Sequence, residues 1–333
     1  MPANVEEMFS VREMPWHREG TVTEDYPQTW DAARVLAGLD WEAESQPVFA
    51  LVGITETGQP IYEPVDGFHR ITRSDTGATL SIRQTSYEII PNAAFGEIFE
   101  AVLQTDKDKL RAETGGTLEG GRKVWMLVRL DEPVVIPGDT SATYPYMAIT
   151  SRHDALGSTQ LRSTAVRIVC ANTYAAAEAE GERTGLTYKF MHRGNWRDHI
   201  EEARQAVTAT RREFKAYVDM MSDLVKLGVT AEQREQFVTA FIPAPPAGVA
   251  SKRVLGNVQT AQAKLREILN SPTIAGAGID GTVYGLVQAG GEYLDHVRTA
   301  QTWETKLNRT LLKPEAGKHR AMKIAMEVAG YAS

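Results

Sequence analysis

The residues with the greatest chemical capacity fall in one stretch, Tyr144 to Gly181. It holds Arg152, His153, Asp154, Arg162, Arg167, Cys170 and Asn172, with Tyr144 and Tyr146 at its start. A carboxylate beside an imidazole can orient it or raise its basicity. His153 and Asp154 are therefore the candidate catalytic pair, suited to acid–base work on a phosphoester or a nucleotide. Asp295-His296 repeats the two residue types in reverse order, which makes His296 a third catalytic candidate. Neighbours on a helix point about 100° apart, so Asp295 and His296 are poorly arranged to share one ion. The sequence has no His-x-x-x-His pair and only one cysteine, so neither a metal site nor a cofactor is expected.

Arginine forks suit phosphates, and tyrosine faces suit stacked bases. Arg152, Arg162, Arg167, Tyr144 and Tyr146 are thus the candidate nucleic-acid-binding set, with single-stranded nucleic acid as the expected partner. The competing reading pairs these arginines with surface carboxylates such as Glu178, Glu180 and Glu182. Cys170 sits in apolar surroundings and is expected to be buried and unreactive. Ser158 and Ser163 lie near His153 without a nucleophile elbow, so no hydrolase triad is expected. The Gly115-Gly116 and Gly120-Gly121 pairs precede no Gly-Lys-Ser/Thr and read as hairpin turns.

Charge is unevenly distributed. The formal net charge is −7, yet Arg152–Lys215 carries eleven Lys/Arg against eight Asp/Glu, and Arg298–Lys323 carries seven against two. Such polarisation can attract an anionic partner to an acidic protein, as can any solvated basic face. The chain has 333 residues, 42% hydrophobic and 24% charged, ordinary for a soluble globular protein and long enough for a sizeable core. No apolar run approaches the ~18 residues of a membrane span, and the N-terminus lacks a signal-peptide pattern. Together with the lone cysteine, this predicts a cytoplasmic protein with no membrane partner.

The elements that must position these residues follow from patterning. Residues 1–27 read as irregular around Pro15-Trp16-His17. Thr29 caps a short helix that Gly38 ends. Pro47–Ile54 and Gln59–Val65 read as a hairpin about Thr55–Gly58, and Phe68–Arg73 with Ala78–Arg83 as another. Pro91-Asn92 opens a helix with Phe95, Ile98, Phe99, Val102 and Leu103 at three-and-four spacing. Arg122–Leu130 is a buried strand with Pro133–Ile136 as its expected partner. The central stretch reads as strand, turn, strand and then a helix from about Arg167, followed by a strand at Leu186–Met191. The rest is helical: Ile200–Leu224 with an unbroken apolar seam, Thr230–Phe241, Val258–Leu269, Val283–Trp303 and Lys318–Val328. Pro243–Gly248 reads as a loop.

An ordered set of residues resembles a known family. It comprises Met8-Phe9, Pro15-Trp16-His17, Gly20-Thr21, Trp30, Gly38-Leu39-Asp40-Trp41, Tyr87, Pro91-Asn92, Phe95, His153-Asp154, Arg167–Thr173 and Tyr293–His296. Together these resemble the phage/plasmid-like family of unknown function that is number 932 in the domain-of-unknown-function series. Arg18-Glu19 intervene where a glycine usually follows Trp-His, and Ala155 stands where glycine is common. The resemblance implies a mobile-element setting and no particular activity.

The sequence therefore predicts an α+β protein: a curved antiparallel sheet with packed helices over 1–195, then a mostly helical region over 196–333. The leading functional expectation is an accessory protein of DNA metabolism that binds single strands, similar in outline to annealing proteins of recombination. The Ile200–Leu224 seam admits a homo-oligomer. The alternatives are a phosphoester- or nucleotide-processing enzyme using His153 and Asp154, and a host-modulating protein-binding factor. The balance leans away from an enzyme.

Overall fold

The computed structural model describes residues 8–12, 20–154, 156–167, 170–172, 188–190, 200–246, 248–249, 251–298 and 316–331. The fold is α+β: among the described residues there are seven helices, open sheets of mostly antiparallel strands, and a helical region after residue 200. Two compact units emerge: Met1–Leu130, Met147–Arg162 and Tyr188–Thr208 form the first; Asp131–Tyr146, Ser163–Thr187 and Ala209–Ser333 form the second.

In the first unit, β1 (Met8–Val11) and β2 (Thr21–Thr23) pair in parallel, where the sequence predicted irregular chain. β1 also pairs antiparallel with β6 (Arg111–Leu118), which pairs with β7 (Lys123–Arg129). Gly120 and Gly121 turn the β6–β7 hairpin at φ 69° and 88°, in the left-handed region that suits glycine. Gly115 and Gly116, expected in a turn, are instead paired within β6. Helix α1 (Trp30–Leu36) begins where the Thr29 hydroxyl accepts the Ala32 N–H, as its sequence predicts. Helix α2 (Asn92–Gln104) buries Phe95, Ile98, Phe99 and Val102 on one stripe, each worth about 1.5–3 kcal/mol of transfer energy. Trp30 packs on Phe95 and Phe99 with ring centroids at 5.6 and 5.8 Å. That approach requires Gly96, because a Cβ there would lie 2.4 Å from the Trp30 ring.

A separate three-stranded sheet runs in the order β3 (Ala43–Ile54), β4 (Pro60–Arg73), β5 (Thr79–Gln84). Both predicted hairpins are present, joined through one long β4. β5 pairs with β4 only over Phe68–Thr72. Beyond that point β3 and β4 continue as a two-stranded arm, through Phe49↔Pro64 to Ile54↔Pro60.

The remaining strands are β8 (Val134–Val135), β9 (Ala142–Arg152), β10 (Thr159–Arg167), β11 (Cys170–Asn172) and β12 (Tyr188–Phe190). The hydrogen-bonded order is β11-β10-β9-β7-β6-β1-β2, with β12 on β10 and β8 on β9. Two expectations are corrected. Val134–Val135 pairs with Ala142–Thr143, not with β7. The helix expected from about Arg167 does not begin there: Arg167 pairs with Cys170 and Ala165 with Asn172, in antiparallel strands, and residues 173–181 of the expected helix lie outside the described residues. Tyr188–Phe190 forms the expected later strand.

In the second unit, the helices supply the core. Helix α3 (Ile200–Lys226) is unbroken over 27 residues and begins in the first unit. Its seam is buried, with Ala203 and Val207 in the core of the first unit and Phe214, Tyr217, Met221 and Leu224 in that of the second. Helix α4 (Ala231–Phe241) carries a reciprocal capping box between Thr230 and Gln233. Helix α5 (Lys252–Leu269) starts six residues earlier than predicted, at a Ser251 cap. Helix α6 (Val283–Glu292) passes straight through Gly290-Gly291 and continues into a π turn, Tyr293–Val297. Helix α7 (Ala316–Val328) packs beside α6.

Candidate functional site

The His153 turn lies wholly in the first unit, between β9 and β10. His153 is 1% exposed. Its Nε2 sits 2.9 Å from the Asn92 Oδ1, and an amide oxygen only accepts, so Nε2 carries the proton in this pair. The Asn92 Nδ2 donates to the Trp41 carbonyl at 2.7 Å, and the Trp41 ring meets the imidazole edge-on at 5.4 Å. The main chain is held too. The His153 N–H donates to the Arg122 carbonyl, the Ser81 hydroxyl to the His153 carbonyl, and the Arg83 guanidinium to the Asp154 carbonyl.

Asp154 faces a different partner. Its carboxylate takes a two-pronged bond from Arg152, Nε to Oδ1 at 2.8 Å and Nη2 to Oδ2 at 2.6 Å, and also accepts the Leu156 N–H. Burial alone would push this carboxyl up; the Arg152 guanidinium and the Leu156 N–H reverse that and hold it below its ordinary value. Arg152 also reaches Glu119 with its two terminal nitrogens. Both carboxylates raise the pKa of the guanidinium against the lowering effect of burial. The Tyr87 hydroxyl closes the network on the Arg152 carbonyl at 3.4 Å.

A cavity of about 440 Å³ adjoins Trp41 and is lined by Asp31, Asp40, Glu42, Glu97 and Glu100 with Arg34. Most of these carboxylates have named partners. Glu42 accepts the first N–H groups of α2 from Asn92 and Ala93, in place of the side-chain cap that Pro91 lacks. Burial nonetheless leaves its pKa raised. Glu100 accepts the Trp30 N–H, and Asp31 the Arg34 Nε at 2.8 Å. Among the described residues, no group of three or more His, Cys, Asp or Glu is arranged to hold a metal ion.

The other candidates are dispersed. The Arg162 Nε donates to the Gln160 Oε1 at 2.9 Å on a half-buried site. Tyr146 is buried and Tyr144 half-buried, their rings 6.4 Å apart. The side chains of Arg167 and Cys170 lie outside the described residues, as do Glu178, Glu180 and Glu182. His296 belongs to the second unit and is exposed on the π turn. Its neighbour Asp295 is buried and bound to the Lys318 Nζ at 2.9 and 3.0 Å. Among the described residues, no helix is long and apolar enough to cross a membrane.

Sequence reasoning missed three partners: Asn92 for His153, Glu119 for Arg152 and Arg73 for Trp41. The Arg73 guanidinium stacks 4.4 Å over the Trp41 ring while it binds Asp75. A signal for the first was present. Trp41, Tyr87, Asn92 and His153-Asp154 all belong to the residue set that carries the family resemblance, and the fold brings them into one network.

The arm of β3 and β4 is the opposite kind of surface. Half of the exposed large apolar side chains among the described residues belong to the three-stranded sheet. On the arm, Phe49, Leu51, Val52, Ile54, Ile61 and Tyr62 are 43–67% exposed. Residues 47–66 contain Glu56, Glu63 and Asp66 and no Lys or Arg.

A protein-family model described as a domain of unknown function, DUF932, matches residues 79–314. No curated protein and no solved structure matches the chain.

Proposed function

The chain belongs to the DUF932 family, whose description assigns no activity, and we propose that it is a non-catalytic protein-binding factor whose contact element is the β3–β4 arm. One observation carries this reading. The arm exposes six large apolar side chains, and its twenty residues hold three carboxylates and no cation. An apolar patch of this kind marks an interaction site, and its charge disfavours phosphate or an anionic membrane as the partner.

The enzyme reading has weaker support. His153 is turned to Asn92 and Asp154 to Arg152, so the two candidates are held apart by their own bonds. The nucleic-acid reading has Arg152 engaged by two carboxylates and Tyr146 buried, which leaves Arg162 and Arg167 to carry it.

The test pairs two measurements on the full chain. A photo-crosslinking residue at position 51 should form protein adducts, and the same residue at position 162 should form none. Fluorescence anisotropy with a labelled single-stranded oligonucleotide at low salt should stay flat. Salt-sensitive oligonucleotide binding that Arg162→Ala abolishes would reverse the choice.

A further inference from the structure

We infer that the partner of the arm is a second copy of this chain, joined through the apolar faces of two β3–β4 arms. This rests on the reading of the arm as a protein-binding element and names its occupant.

The argument starts from register. Phe49 lies opposite Pro64, Leu51 opposite Tyr62, and Ile54 opposite Pro60. Side chains alternate across a strand, and the irregularity between Leu51 and Gly53 keeps Ile54 on the side of Leu51 by absorbing Val52. One face of the arm is therefore Phe49, Leu51, Ile54, Tyr62, Pro60 and Pro64; the one charge on that side of β4 is Asp66, at the root of the arm beyond the Phe49–Pro64 pair. Glu63 pairs with Ala50 on the other face, and Glu56 sits in the terminal turn. The stretch of that face from the Phe49–Pro64 pair to the Ile54–Pro60 pair carries no charge and is complementary to itself. Two copies related by a twofold axis can bury it without setting carboxylate against carboxylate.

Stability points the same way. β5 ends its pairing at Phe68, so the arm beyond it is a two-stranded ribbon. Such a ribbon is marginal in water unless something packs on it. The exposed apolar surface of six side chains is on the order of 600 Å², the upper end for a patch on a monomer. Two arms together bury about 1,200 Å², the lower bound of a specific interface. Edge growth is the less suitable mode, because Pro47, Pro60 and Pro64 remove donors from the ladder. Packing of faces needs none of those donors.

The experiment measures the mass of the purified full chain by light scattering and sedimentation across micromolar concentrations. The wild type should have the mass of two chains. Leu51→Ser with Tyr62→Ser should weaken self-association by about a hundredfold or more and leave circular dichroism unchanged. Ala50→Ser, on the opposite face, should leave the dimer intact. A photo-crosslinker at position 51 on otherwise unaltered protein should give an adduct of two chains, which keeps the test independent of how the serine variant folds. A wild type that is monomeric throughout overturns the inference, as does a dimer that forms no adduct at position 51. If the wild type is monomeric and position 51 crosslinks to a different protein, the second copy is wrong and the protein-binding reading stands. If position 51 crosslinks to no protein at all, both fall.

Discussion

The His153 turn and the β3–β4 arm divide the molecule's chemistry in opposite ways. The turn gathers histidine, aspartate, arginine and glutamate, the residue types that catalysis uses, and ties each to a neighbour. The arm gathers phenylalanine, leucine, isoleucine and tyrosine, the residue types that cores use, and leaves them in water. A buried polar group with its bonds made is a structural joint. An apolar group with nothing against it is a site waiting for contact. On the proposed reading, reactive residue types are a poorer guide to function here than the balance between what a side chain can bind and what it already binds.

The comparison breaks first at Arg152. Arg152→Ala strands Asp154 and Glu119, of which Asp154 is almost fully buried, and should cost about 3–5 kcal/mol of folding stability by denaturant titration. A loss below about 1 kcal/mol would mean that the turn is not a joint. Asn92→Ala comes next. It removes the acceptor for the His153 Nε2–H and the donor to the Trp41 carbonyl, leaving two buried groups unsatisfied at about 1–3 kcal/mol each. Asn92→Asp should recover part of this loss, since a carboxylate can still accept from Nε2.

Acid sharpens the same contrast. The Asp154 carboxyl is held low in the folded state, so its contribution is complete above the unfolded carboxylate range and is lost as pH falls through the folded value. Asp154→Asn should therefore differ most from wild type near neutrality and converge with it in acid. A gap in melting temperature that stays constant down to strong acid would contradict the pairing. The smallest effect belongs to the arm. Leu51→Ser should change the stability of the isolated monomer by no more than about 0.5 kcal/mol, the usual range for exposed positions. A loss comparable to that of Asn92→Ala would show that the arm is packed within its own chain.

Much of the scaffold was legible because its signals are local. Thr29 and Gly38 bracket α1, the spacing of Phe95, Ile98, Phe99 and Val102 marks α2, and the uninterrupted seam from Ile200 marks α3. What escaped was non-local. Nothing near Met8 reports that it will lie opposite Gly116, and nothing near Val134 prefers Thr143 over β7. The same holds at the site, since Glu119 is thirty-three residues from Arg152 and Asn92 sixty-one from His153. Alternation along Phe49–Ile54 announces a strand but cannot say what covers it. Whether an apolar face meets its own core or another molecule is decided by the rest of the fold.

The π turn after α6 is, in effect, an extra residue absorbed by a helix. The Arg298 N–H reaches back five positions to the Tyr293 carbonyl, so the turn from Tyr293 to Val297 is wound more loosely than an uninterrupted helix. Within it Asp295, and not its neighbour His296, faces Lys318. Deleting a single residue at Glu292 would restore the regular winding and rotate Asp295 away, leaving the Lys318 ammonium alone in the interior. A drop in melting temperature in that deletion, partly recovered by Lys318→Met, would identify the added residue as the device that keys the helix to its neighbour.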